Sequence, residues 1–149
     1  SWKYDSWKGI IYPDRHKINH LAEYVKHYST VEVDQWFWSL FGENKISLPK
    51  QKDVLAYKES IPENFRFSVK VPNSITLTHF YRKSKKEELK KNPHFLSTEL
   101  FEDFLDSIEP LHPNLGPLMF QFEYLNKQKM PTQFEFQLLF SDFLEKLPK

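Results

Sequence analysis

Apolar and polar residues alternate in three short stretches of the chain, and this alternation predicts three β-strands. The stretches are residues 30–34, 65–71 and 117–122. Each is rich in β-branched or aromatic residues and is flanked by residues that break regular structure. In each stretch valine, phenylalanine or leucine fills every second position, while the positions between them are mostly polar or charged. We therefore expect strands with one apolar and one mainly polar face.

Between the strands, apolar residues recur every three or four positions, which predicts helices. Such patterns occupy residues 18–25, 52–60 and 132–147, and a further helix is expected between a cap at Ser97 or Thr98 and a stop at Pro110. Asp142 and Lys146 stand four residues apart in the last helix and can form an ion pair. Strands that alternate with helices indicate an α/β fold with a parallel sheet and helical crossovers. The 149 residues are expected to form a single domain.

Composition narrows the classes of function. The net charge of +1 gives no overall electrostatic attraction for nucleic acid or an anionic membrane. The chain has no cysteine, which excludes disulfides and thiolate chemistry and fits a reducing, cytoplasmic compartment. With only 3 glycines, a glycine-rich phosphate loop is excluded. No apolar run reaches the roughly 18 residues that a membrane span requires.

Four motifs occur in the order of a known family. The first is W-x-Y-x-x-W-x-G-x-x-Y-P, which begins at Trp2 and ends at Pro13, and the others are residues 24–40, 62–79 and 115–122. Together they resemble the domain of unknown function 72 family, also called YecE-like. The family resemblance implies a TIM-type barrel of eight parallel strands in a protein of about 250 residues. By this resemblance, residues 1–149 hold the N-terminal half of the barrel, and the fold class is a partial TIM-type (β/α) barrel.

A half barrel would have exposed surfaces. Both sheet edges and the inner face of the sheet would be open, so we expect two copies to pair, or this half to associate with a missing C-terminal half. The sequence also departs from the family after the stretch 30–34, which corresponds to the family's second strand, since N-x-T-F-Y is usual there and residues 34–38 read DQWFW. This departure changes the polarity and shape expected at the rim of the barrel.

Polar residues at the strand ends are the candidate catalytic groups. In a barrel, apolar strand residues face the covering helices, which leaves Glu32, Lys70 and Gln121 toward the axis. Active sites of TIM-type barrels lie at the carboxyl ends of the strands. Glu32 is a candidate general base or metal ligand, Lys70 an anion anchor or Schiff-base amine, and Gln121 an orienting group. His79 ends the third motif and is a candidate acid or ligand. The alternative is that Glu32 and Lys70 form a structural ion pair between adjacent strands.

Aromatic residues at the start of the chain, which would follow the family's first strand, and after the stretch 30–34 are candidate ligand-binding groups, because such rings can stack on a sugar or a base. The alternative is a packed loop that covers the barrel. The candidate residues are Trp2, Tyr4, Trp7, Tyr12 and Trp36.

Three functions remain open at this point. The first is an enzyme, a hydrolase for example, that binds a phosphate- or sugar-containing ligand. The second is a nucleic-acid-binding module that uses the charged run 82–91, and the third is a structural half barrel without activity. The cofactor is unknown and a divalent metal stays open, but no metal ligands are assigned. His16 and His20 have a spacing of four, yet the start of a surface helix explains them better.

Overall fold

Three parallel strands form the single sheet of the computed structural model, which describes residues 2–43, 45–82, 84 and 86–148. Strand β1 is Thr30–Val33, β2 is Arg66–Lys70 and β3 is Leu115–Met119. The strand order is β1-β2-β3, so β2 is central, and both pairings are parallel. The three predicted strands are confirmed, although the third begins and ends earlier than its alternation indicated.

Five α-helices and two short 3-10 helices precede, connect and follow the strands in the described part of the chain. They are α1 (His20–Tyr24), α2 (Gln51–Glu59), α3 (Asn73–Thr76), α4 (Thr98–Ser107) and α5 (Gln133–Glu145), with 3-10 helices at Asp5–Trp7 and Glu109–Asn114.

Side-chain caps fix the start of the two longest helices. The Ser97 hydroxyl accepts a hydrogen bond from the backbone N–H of Leu100 at 3.1 Å, and the Thr132 hydroxyl accepts one from that of Glu135 at 3.1 Å. Such caps satisfy backbone donors that a helix leaves unpaired at its N-terminus. Pro110 does not directly end α4, because it lies inside the following 3-10 helix.

The pairing of β2 with β3 contains an irregularity. Phe67 pairs with Leu115 but Val69 pairs with Leu118, so one extra residue is accommodated in β3. Gly116 lies at this bulge, and a Cβ atom there would stand 3.1 Å from the carbonyl oxygen of Phe67. The bulge therefore leaves little room for a side chain at position 116.

The helices cover the apolar face of the sheet, as the alternation predicted. Val33, Phe67 and Val69 are completely buried. Tyr57 of α2 stacks on Phe67 with ring centroids 6.2 Å apart, and aromatic contacts continue from α4 to the segment after β3 and to α5. Burial of this face against helices is the main stabilising contribution of the fold.

The opposite face of the sheet is less covered. Glu32, Ser68 and Lys70 on this face are half-buried, and Met119 is exposed. The α/β fold class with parallel strands and helical crossovers is thus confirmed, and the arrangement is consistent with a partial barrel. Among the described residues, no helix has the length and apolar character required to cross a bilayer.

Candidate functional site

A lysine and a glutamate pair on the polar face of the sheet near the carboxyl ends of β1 and β2. The distance between Lys70 Nζ and Glu32 Oε1 is 3.3 Å. In the register of the two strands, Glu32 pairs with Ser68. Lys70 lies two residues after Ser68, so its side chain is on the same face of the sheet and reaches Glu32. The predicted pairing of these two residues is confirmed, while their functional role stays a prediction.

The Lys70 ammonium is partly withdrawn from solvent. Its side chain is 21% exposed, that of Glu32 is 36% exposed, and Lys70 Nζ lies 6.0 Å from the centroid of the Phe37 ring. An ammonium has three N–H donors, so it can hold an anionic oxygen in addition to a carboxylate. A cation in this position has the chemistry of an anion anchor.

A second polar cluster joins the segment after β2 to the segment after β3. The Thr78 hydroxyl donates a hydrogen bond to Glu123 Oε1 at 3.3 Å, and the other carboxylate oxygen of Glu123 forms an ion pair with Lys129. His79 Nδ1 lies 3.0 Å from the Thr78 hydroxyl oxygen. The cluster therefore links a histidine, a hydroxyl, a carboxylate and an ammonium in one hydrogen-bonded chain.

The environment of His79 favours its neutral form. The residue is 6% exposed. Burial, and next the Lys129 ammonium, lower the pKa of His79 below its ordinary value of 6.5, although the Glu123 carboxylate acts in the opposite direction. Because the neutral imidazole can accept a proton, His79 has the electronic state of a general base near neutral pH.

Buried polar side chains hold the two loops of the site together. The Asn73 carboxamide oxygen accepts hydrogen bonds from the backbone N–H groups of Ser39 and Leu40, and the hydroxyl oxygens of Ser39 and Ser74 lie 2.8 Å apart. On the other side, the Asn92 amide donates to the carbonyls of Ser74 and Leu77. Every residue from 71 to 79 is buried. These hydrogen bonds therefore connect the loop after β1 to the buried segment after β2.

A cavity of about 600 Å³ opens between the loop after β1 and the loop after β2. Its walls carry both aromatic and charged side chains, and Tyr81 at its edge has a side-chain hydrogen bond with Asn73. The lining residues are Leu40, Phe41, Gly42, Glu43, Phe80, Tyr81 and Lys90. This cavity offers space for a small molecule at the carboxyl end of the sheet.

The other candidate catalytic residue, Gln121, follows β3 and is exposed. The alternation places it on the same face as Met119. Of the three groups expected to converge, Glu32 and Lys70 form an ion pair, and the convergence of Gln121 with them stays a prediction.

Most of the candidate aromatic residues are packed inside the protein. Trp2, Tyr12 and Trp36 are buried, and Trp36 stacks on Tyr57 at 5.5 Å. The Tyr12 hydroxyl donates to the backbone carbonyl of Trp2. This arrangement agrees with the packed-loop alternative for these three residues.

The two remaining aromatic candidates are more accessible. Trp7 is half-buried, and Tyr4 is exposed with its ring 4.9 Å from that of Trp7. Their ligand-binding role stays a prediction.

Sequence reasoning assigned no functional role to Thr78, Glu123 or Lys129. The signal for Thr78 was available, because it directly precedes the candidate His79. Lys129 could not be found, since a turn of the chain after Asn126 brings it back to Glu123.

The metal and nucleic-acid predictions gain no geometric support. Within the part of the chain that the structure describes, no group of three or more histidine, aspartate or glutamate residues could hold a metal ion. In the charged run 82–91, Lys83 and Lys85 lie outside the described residues, and the acidic residues Glu87 and Glu88 stand among the exposed lysines.

Comparison with known proteins gives a family and a fold. A family model described as "Protein of unknown function DUF72" matches residues 1–149. No curated protein matches the chain. A 3.10 Å crystal structure of a DUF72 family protein from Enterococcus faecalis V583 is 22% identical with a TM-score of 0.52, over 86% of this chain and 41% of that chain.

A second crystal structure of that protein, at 2.52 Å, is 23% identical with a TM-score of 0.49, over 86% of this chain and 45% of that chain. The chain therefore spans less than half the length of the solved structures it matches.

Proposed function

Since the chain belongs to the DUF72 family of proteins of unknown function, we propose that it binds a small phosphate- or sugar-containing ligand at the carboxyl ends of its strands. The observation that carries this proposal is the half-buried Lys70 ammonium, 3.3 Å from Glu32 on the open face of the sheet. The family match also confirms the resemblance that the sequence motifs indicated.

Energetics favour a ligand role over a purely structural one for this pair. Partial burial of two charges costs solvation free energy that their attraction only partly returns. An ion pair with 21% and 36% exposed side chains contributes at most about 1 kcal/mol to stability. Because apolar side chains would stabilise the same position at least as well, a charged pair there is better explained by recognition of an anion.

The surrounding loops supply the remainder of a binding site. The cavity beside Tyr81 contains a cation at Lys90 and a carboxylate at Glu43, which suit the hydroxyl and phosphate groups of a sugar phosphate. Phe37 contacts both the Lys70 ammonium and the Trp38 ring, and Trp38 lies 6.2 Å from Tyr81. A continuous set of side chains thus leads from the ion pair to the rim of the cavity.

The half-barrel arrangement is part of the same proposal. Residues 1–149 would form the N-terminal half of a (β/α)8 barrel, and a second half or a second copy would cover the polar face of the sheet. The parallel order β1-β2-β3 and the 41% coverage of the solved DUF72 chain support this arrangement. Catalysis, hydrolysis included, and a cytoplasmic location stay predictions that rest on the sequence.

The proposal is tested by titrating the ¹⁵N-labelled protein with inorganic phosphate, glucose and glucose 6-phosphate. We expect glucose 6-phosphate to shift the amide signals of Glu32, Phe37 and Lys70. Lys70→Met should weaken its affinity at least tenfold, because the anion loses its cation while the methylene stem is largely kept.

Lys146→Met is the matched control, because Lys146 also pairs with a carboxylate, that of Asp142, but on an exposed surface of α5. It should leave affinity unchanged. Lack of binding by every probe, or equal weakening by both substitutions, would overturn the proposal.

A further inference from the structure

The hydrogen-bonded chain of His79, Thr78 and Glu123 has a defined direction. A threonine hydroxyl carries one proton and two acceptor lone pairs. Because the Thr78 proton is donated to Glu123 Oε1, the Thr78 oxygen can only accept at the side of His79. His79 Nδ1 must therefore carry the ring proton in the neutral imidazole, and the lone pair resides on Nε2.

Lys129 pairs with the carboxylate that accepts the Thr78 hydrogen bond. Its ammonium contacts the second oxygen of Glu123, and both side chains are largely buried, at 18% and 17% exposed. A carboxylate can only accept hydrogen bonds, so the Thr78 hydroxyl is the donor in its contact with Glu123. The ammonium thus acts on His79 through two intermediate groups.

We propose that His79, Thr78 and Glu123 form an acid–base site in which His79 Nε2 accepts a proton from a water molecule or from a hydroxyl group of the ligand. Thr78 and Glu123 are positioning residues. The inference rests on the proposed function, because the ligand at the strand ends supplies or adjoins that hydroxyl. The O–H bond breaks, an Nε2–H bond forms, and the released oxygen keeps the electron pair.

The charges around His79 suit a base that is neutral before it reacts. Lys129, Lys91 and Arg82 oppose a second proton on the ring, as does burial, while Glu123 favours it. After proton transfer, the Nδ1–H bond to Thr78 is retained, and Thr78 links the new imidazolium to the Glu123 carboxylate. The order of histidine, hydroxyl and carboxylate performs the orienting task that a carboxylate alone performs in hydrolase triads.

The test is the tautomer of His79, read from ¹⁵N–¹H correlation spectra of histidine-labelled protein at pH 8. The Nδ1–H form should dominate. Thr78→Val keeps the shape of the side chain and removes the acceptor, so the population should move to the Nε2–H form that free histidine prefers. Glu123→Gln should produce a smaller change in the same direction.

Thr30→Val is the control, since Thr30 is an exposed threonine in β1, and it should leave the tautomer unchanged. A dominant Nε2–H form in the unmodified protein, or no response to Thr78→Val, would overturn the inference.

Addition of glucose 6-phosphate separates this inference from the proposed function. If the probe shifts the Lys70 amide signal and also the Nε2 signal of His79, both hold. If Lys70 responds and Nε2 does not, His79 does not face the ligand, and the acid–base site is wrong while the proposed function stands. If neither responds, the proposed function fails whatever the tautomer.

Discussion

Asn73 binds the backbone of Ser39 across the carboxyl end of the sheet. The Asn73 carboxamide oxygen accepts the Ser39 backbone N–H at 2.9 Å and the Ser39 hydroxyl at 3.1 Å, and both residues are almost completely buried. The same oxygen accepts the backbone N–H of Leu40 at 3.0 Å. One side chain at the start of α3 therefore holds the loop that follows β1, which forms a wall of the candidate ligand cavity.

Replacement of Asn73 by alanine should lower the free energy of unfolding by about 2–4 kcal/mol, because the buried N–H of Ser39 and the half-buried N–H of Leu40 lose their acceptor. The measurement is urea unfolding followed by tryptophan fluorescence. The loop should also loosen, so amide hydrogen exchange at Ser39 and Leu40 should accelerate more than the global loss of stability explains.

Asn126→Ala is the matched control for this substitution. The Asn126 carboxamide oxygen also accepts two backbone N–H groups, those of Gln128 and Lys129, but Asn126 is exposed and water can replace it. A loss below about 1 kcal/mol is expected. Equal losses for the two substitutions would show that burial of the Asn73 network contributes little.

The sheet and its polarity could be predicted from the sequence because both depend on local alternation. Apolar residues at every second position had to face the helices, and Val33, Phe67 and Val69 are indeed completely buried. The same alternation placed Glu32 and Lys70 on adjacent strands and one face, so that their pairing at 3.3 Å followed. The ends of β1 and β2 differ from the predicted ends by one residue at most, because residues that favour turns flank both stretches in the sequence.

Long-range packing limited the rest of the prediction. Helix α3 has no apolar periodicity, and its short, polar sequence indicates a loop. Its burial depends on Ser39 and Asn92, which are 34 and 18 residues away from their partners Asn73 and Ser74. The aromatic motif that begins at Trp2 was ambiguous for the same reason, because only the folded chain brings Tyr57 to within 5.1 Å of the Trp2 ring.

Replacement of Thr76 by valine should stabilise the protein. Its hydroxyl is buried, and within the described residues it has no hydrogen-bond partner. An unpaired hydroxyl away from water reduces stability, and valine has nearly the same shape. Thr76→Val should raise the free energy of unfolding by about 1 kcal/mol in urea denaturation.

Thr78→Val provides the contrast, because Thr78 has hydrogen-bond partners in Glu123 and His79. It should reduce stability. A loss of stability in both variants would mean that the Thr76 hydroxyl has a partner in solution.

A side chain at position 116 should destabilise the sheet. The Cβ atom of an alanine would meet the carbonyl oxygen of Phe67 at 3.1 Å, and this oxygen belongs to the backbone of the central strand. Gly116→Ala should therefore cost about 1–2 kcal/mol and weaken the pairing of β2 with β3. The check is urea unfolding combined with amide exchange in β3, with the half-buried Ser68→Ala as control. Unchanged exchange in β3 would show that the bulge can relax.

Stability should fall on acidification because of His79. Burial and the Lys129 ammonium lower the pKa of His79 in the folded protein below its ordinary value of 6.5. As pH decreases through 6.5, the unfolded chain takes up the proton first, so unfolding becomes more favourable until the folded pKa is passed. Above 6.5 both states hold a neutral imidazole, and the contribution of His79 to stability is fully present.

The expected signature is a difference in slope, since His79→Gln also removes the hydrogen bond to Thr78 at every pH. Urea unfolding of the unmodified protein and of His79→Gln should be measured from pH 8 down to pH 5. The variant should lose less stability over this range, because it has no proton to take up at position 79. His16→Gln, which alters an exposed histidine, should keep the slope of the unmodified protein. Parallel curves for the His79 variant and the unmodified protein would contradict the burial of a neutral imidazole at this position and, with it, a base that is ready to accept a proton.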